Sequence, residues 1–150
     1  MKTIEYHTVD KSTWADGPWK NEHDKVQYTD PVTGMPCLIV RGPSGALCGY
    51  VGVNEGHPCY EKGYEDVPVE VHGGLTYSAF CTENEHGICH IPEEGEPDKV
   101  WWLGYDCAHL GDKCPAYERF GSFGYGEVYR NMDYVKGENA QLARQLADLK

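Results

Sequence analysis

The sequence predicts an α+β fold: one domain, a twisted antiparallel sheet with long loops, and one C-terminal amphipathic helix. Three observations carry this prediction. Short apolar, β-branched runs alternate with Gly- and Pro-rich punctuation between residues 35 and 127. A seven-residue apolar repeat occurs only near the C-terminus, at Val128, Val135, Leu142 and Leu149. The length of 150 residues suits a single domain, and a chain of that size buries roughly two thirds of the surface it exposes when unfolded.

Residues 1–34 are polar and read as an irregular N-terminal arm, with Trp14 and Trp19 lapping over the domain as anchors. Residues 35–127 read as the β-rich core. Cys37–Arg41 is an apolar run suited to a buried strand. Gly42-Pro43-Ser44-Gly45 is a turn, and Ala46–Val53 is the returning strand of the clearest hairpin. Asn54–Pro58 follows as a loop, with His57 as a turn residue. Val67–His72 alternates apolar and polar and predicts another strand, opening into Gly73-Gly74. The polar, acidic segment 82–98 predicts a surface loop. Val100–Ala108 is the most aromatic strand candidate, and 110–127 returns to Gly and Pro punctuation. Residues 131–149 predict the helix, with Met132 and Leu146 near its apolar stripe. Gly137 weakens it by ~1 kcal/mol relative to Ala. The stripe is expected to pack on the sheet; a homo-oligomer through this helix is its alternative use.

Composition removes several function classes. The formal charge is -11, from 24 acidic and 13 basic side chains. Direct nucleic-acid binding through a basic surface is not expected, because the phosphate interaction needs an excess of Lys and Arg. No apolar run approaches the ~18 residues of a membrane span, and the N-terminus lacks the apolar region of a secretory signal. The expected location is the cytoplasm. The seven cysteines are Cys37, Cys48, Cys59, Cys81, Cys89, Cys107 and Cys114. They are expected to be reduced and buried, a disulfide framework being the alternative. No C-x-x-C spacing occurs. Cys107 near His109 makes a poor nucleophile, because acidic surroundings disfavour a thiolate.

Two segments concentrate the side chains that carry chemistry. The first is Val71–Tyr77, where His72 precedes Gly73-Gly74 and glycines permit close approach to backbone amides. The second is Trp101–Asp112, which holds two Trp, a Tyr, two Asp and a His. Read as a binding site, they suit a small nucleotide-like molecule. Trp101, Trp102 or Tyr105 would stack a base, a contact worth ~1–3 kcal/mol. Asp106 or Asp112 would hold ribose hydroxyls, and Gly73, Gly74, His72, Thr76 and Arg41 would meet phosphates, with Tyr77 and His109 completing the lining. Read as a metal site, His72, Asp106, His109 and Asp112 offer two imidazoles and two carboxylates for Zn or another divalent metal, which would activate water for hydrolysis. The structural alternative is that Asp106 and His109 bond backbone in a turn. His86-Gly87-Ile88-Cys89-His90 is a further metal patch without a well-spaced fourth ligand.

The stretches GYVGVNEGHPCY (Gly49–Tyr60), VHGGLTYS (Val71–Ser78), WWLGYDCAHLGD (Trp101–Asp112) and YRNMDYV, near the terminal helix, resemble a family of small uncharacterised phage and prophage proteins. The resemblance implies a cytoplasmic protein of an infected bacterial host and supplies no catalytic residues. It implies three roles that counter host defence: sequestering a nucleotide-type signal, hydrolysing it with a metal, or acting as an acidic inhibitor of a host protein. Sequestration is the leading expectation, so the chain is read as a binder before an enzyme.

Overall fold

The structure, a computed structural model, describes residues 1–82, 87–120 and 127–149. Six strands form one antiparallel sheet: β1 (Ile4–Tyr6), β2 (Lys25–Thr29), β3 (Pro36–Arg41), β4 (Leu47–Val53), β5 (Tyr77–Phe80) and β6 (Trp101–Asp106). Their order across the sheet is β1-β2-β3-β4-β6-β5. Helix α1 (Met132–Asp148) packs on one face, against β4 and β3. The predicted α+β class, hairpin and terminal helix are all present.

Period-two alternation divides the strand residues between two layers. Cys37, Ile39, Leu47, Val51, Leu103 and Tyr105 face α1, which buries Val135, Leu142, Ala143 and Leu146 against them. Leu38, Tyr50 and Trp102 point to the opposite face, where Ile88 and Val100 cover them. Gly104 lies across from Tyr50 in the β4–β6 register, and a Cβ there would collide with the Tyr50 ring. The helix starts at Asn131, whose side chain accepts from the Tyr134 amide at 2.9 Å; such a cap is worth ~1 kcal/mol. Asn139 is the one polar residue buried on the inner face of α1. It accepts from the Tyr105 hydroxyl at 2.8 Å and donates to Tyr28 and to the Leu38 carbonyl.

Three expectations need correction. Residues 1–34 are not wholly irregular, since β1 and β2 lie within them. Asp24 ties the rest of this arm down, accepting from the Thr8 and Val9 amides, Lys11 and Arg41, while Trp19 is buried edge-on to Tyr129. Val67–His72 joins no strand: the Val69 amide turns back to the Val67 carbonyl, and His72 already lies in a turn. Its valines do pack on the helix side, but the Gln145 side chain supplies the pairing, accepting from Glu70 N and donating to Glu70 O. The third concerns the thiols. Cys81, just past β5, meets Cys89 on the returning loop with Cα atoms 4.5 Å apart, and the two form a disulfide. The remaining five are free, and Cys37, Cys59 and Cys107 are buried.

Among the described residues no helix is long and apolar enough to cross a membrane.

Candidate functional site

The sheet ends where β6 runs out at Asp106, and a tight turn follows. Asp106 shapes it by accepting from the Ala108 amide at 3.1 Å. Asp112 closes it, accepting from the His109 amide at 3.1 Å while its own amide donates to the His109 carbonyl. A parallel bridge to Val128 continues from Asp112 and delivers Arg130 to the same place. From the other side, the segment after Val67 turns at His72 and Gly73, where the Gly74 amide bonds the Val71 carbonyl and Gly73 and Gly74 have φ of 68° and 81°. Thr76 then rejoins the sheet through the Gly104 carbonyl. Gly73 lies under the His109 ring, in space that a Cβ would occupy. Thus a left-handed backbone and a close ring contact both call for glycine there.

These constraints bring together residues 40 positions apart. His72 Nε2 donates to Asp112 Oδ2 at 2.8 Å, and Arg130 Nε donates to Asp112 Oδ1 at 3.1 Å. His109 Nδ1 lies 3.4 Å from Asp106 Oδ1 and 3.9 Å from Asp112 Oδ2. It is sealed from solvent yet makes no hydrogen bond. Asp106 also accepts from the Thr76 hydroxyl at 3.2 Å. Behind His72, its Nδ1 meets the Tyr134 hydroxyl at 2.8 Å, and that hydroxyl donates to Glu138 at 3.0 Å. The Arg130 guanidinium lies 4.9 Å over the Tyr134 ring.

The electrostatics follow from this list. Burial pushes the Asp112 carboxyl up, but the bonds from His72, Arg130 and the His109 amide outweigh it, so its pKa falls below the usual value. Asp106, Asp112 and Glu138 bring three carboxylates to the cluster, and Arg130 brings a guanidinium bonded to Asp112. One donor atom from each of His72, His109 and Asp112 lies within 4.8 Å of the others. A tetrahedral site with bonds of about 2.0 Å spaces its ligand atoms by about 3.3 Å. The separations of 2.8 and 3.9 Å bracket that spacing.

The other predicted residues are placed elsewhere. Trp102 and Tyr105 are buried on opposite faces of the sheet and offer no ring face to a ligand. Trp101 is half-buried, edge-on to Phe80, with its indole N–H donated to the Lys62 carbonyl. Tyr77 packs edge-on to Tyr50 on the face opposite α1. Gly74 has open space around it. Arg41 is buried and committed: Nε donates to Asp24 at 2.7 Å, and its other nitrogens bond the Gly45 and His23 carbonyls and Tyr129. The proposed stacking platform is therefore not assembled beside His72.

Of the second patch, Cys89 and His90 cluster with Cys81, which the patch did not include and which is bonded to Cys89 in the disulfide; His86 lies outside the described residues. The Cys107 thiol is driven far up by burial. His57 bonds the Leu146 carbonyl and the Cys59 amide, a structural role.

Tyr134, Glu138 and Arg130 are site residues that the motif reading missed. Tyr134 and Glu138 stand four apart on a helix, where side chains meet. That spacing was the available signal. The chain matches no protein-family model, no curated protein and no solved structure.

Proposed function

We propose that the chain is a divalent-metal-dependent hydrolase of a small nucleotide-like phosphoester, with His72, His109 and Asp112 as ligands. One observation carries the reading: the buried His109 Nδ1, without a hydrogen bond, 3.4 and 3.9 Å from the oxygens of two carboxylates. A buried polar atom without a partner is costly, and a cation between the ring and Asp112 would satisfy it. Two imidazoles and a carboxylate are a donor set suited to Zn, and three protein ligands leave a position open for water.

The surrounding residues fit the same role. Tyr134 gives its one proton to Glu138, so its oxygen is free to accept from His72 Nδ1–H. A metal at Nε2 would displace the proton that Nε2 gives Asp112 in the metal-free site, and the Nδ1–H bond to Tyr134 would then hold the tautomer whose Nε2 lone pair faces the ion. Arg130 holds Asp112 Oδ1 and leaves Oδ2 to the cluster. Asp106, 3.4 Å from His109, would act as the general base toward a water in the open position. When bound, the metal lowers the pKa of its water toward 7 and polarises the phosphoryl oxygen.

The test is elemental analysis of wild type and His109→Ala after dialysis against Zn or Mn, followed by hydrolysis of bis(p-nitrophenyl) phosphate. Wild type should hold about one metal per chain and turn over the ester only when loaded. His109→Ala should lose both. A wild type that stays metal-free, or hydrolysis that survives in the variant, defeats the proposal.

A further inference from the structure

The sheet face opposite α1 carries an open cavity of about 890 Å³. That volume lies within the range of small-molecule sites, which run from about 300 to 1,000 Å³. Its floor is the outward side of the sheet, including Tyr6, Lys25, Val40 and Tyr50. One wall is the N-terminal arm at Thr8, Val9 and Trp14, held by the amide bonds to Asp24. The other wall is the returning loop 87–91, fastened by Gln27. The Gln27 side chain accepts from the Ile91 amide and donates to the Ile91 carbonyl.

Among the described residues, the charged side chains of this lining have the sign opposite to that of the chain. Of 24 acidic side chains in a protein of formal charge -11, none among the described residues lines the cavity. Two basic ones do. Arg41 is already paired with Asp24, whereas Lys25 has no carboxylate partner among the described residues. Its ammonium instead lies 5.6 Å from the centre of the Tyr6 ring. Burial lowers the Lys25 pKa, the sign of a charge short of solvent and counter-charge. His90, at the rim, is lowered by burial as well, though contacts with Pro97, Glu96 and Asp98 oppose the shift. Elsewhere the lining includes the apolar and aromatic side chains of Val40, Tyr50, Trp14, Ile88 and Ile91.

We infer that this cavity binds a small monoanion with a flat apolar body, an aromatic carboxylate in chemical class, whose carboxylate pairs with Lys25 Nζ. The half-buried rings of Tyr6 and Trp14 provide flat apolar contact for the body. A charge-assisted bond in a partly desolvated site gives the preference for an anion. The site is distinct from the His72–Asp112 cluster and does not depend on it.

The experiment titrates the full chain by calorimetry with 2-naphthoate and with its neutral analogue 2-naphthalenemethanol. Wild type should bind the anion saturably, about tenfold or more tighter than the alcohol, as expected of a hydrogen bond to a charged group. Lys25→Met should lose that preference while still binding the alcohol, which also reports that the cavity remains folded. Lys25→Arg should restore the preference. Equal affinity of wild type for the two probes, absence of saturable binding, or an unchanged preference in Lys25→Met overturns the inference.

Discussion

Asp24 is the most heavily bonded carboxylate in the described structure, and acid should expose its role. Its oxygens accept from the Thr8 and Val9 amides at 2.9 Å and from Lys11 and Arg41 at 2.7 Å. Its side chain is 1% exposed. Burial pushes the carboxyl up, but the two cations and two amides overcome this and hold its pKa at about 2, against 3.8 for a free side chain. The folded-state value is depressed, so the stabilisation is complete above pH 3.8 and is lost as the pH falls toward 2. A shift of nearly two units corresponds to roughly 2–3 kcal/mol. Urea denaturation should be followed by Trp fluorescence at pH 7, 5, 4, 3 and 2, on wild type and Asp24→Asn. At pH 7 the variant should be less stable by at least ~2–3 kcal/mol; removing the partner of a buried cation costs ~3–5 kcal/mol where no relaxation occurs. The gap should narrow below pH 4 as the wild-type carboxyl protonates. A gap that stays constant from pH 7 to pH 2 would refute the reasoning.

Other perturbations probe the core and the site scaffold. Gly73→Ala should destabilise more than Gly74→Ala by thermal melting. Both pay for a left-handed residue, at roughly 1–2 kcal/mol, but only position 73 also strikes the His109 ring; equal losses would contradict this. Asn139→Leu should cost ~1–3 kcal/mol in chemical denaturation, because Tyr28 and the Leu38 carbonyl each lose a partner; a neutral effect would show that these bonds carry no net weight. Cys37, whose thiol burial pushes up to about 12, and Cys107 should resist iodoacetamide at pH 8 until the chain unfolds. Alkylation at the rate of a free peptide thiol would contradict their burial.

The parts of this fold that were legible in the sequence are those where pattern and hydrogen-bond partner coincide. Cys37–Val53 is apolar on both sides, punctuated by one turn, and forms β3 and β4 as read. The seven-residue repeat marks the inner face of α1 correctly at Val135 and Leu142. Periodicity failed where it reports burial without pairing. Val67, Val69 and Val71 alternate as a strand would, but the neighbour is a helix, and a Gln145 amide satisfies Glu70. β2 was illegible because Gln27 breaks its apolar pattern; that buried amide is satisfied by Lys2 and Ile91, which are remote in sequence.

The candidate site divides the same way. His72, Asp106, His109 and Asp112 were identifiable as donor types, but the sequence held no indication that Gly73 would let the two segments close on each other. The aromatic content of Trp101–Asp112 suggested a stacking surface. On a strand covered on both faces, successive side chains go to opposite layers, and Trp102 and Tyr105 are spent in packing.

Diffraction from a crystal soaked in zinc, recorded on both sides of the zinc absorption edge, probes the His72–His109–Asp112 arrangement most directly. An anomalous peak should lie between His72 Nε2, His109 Nδ1 and Asp112 Oδ2, at about 2.0–2.2 Å from each. A peak confined to Cys81, Cys89 and His90, or no peak at His109, would leave that ring nitrogen unexplained and the hydrolase reading without its metal.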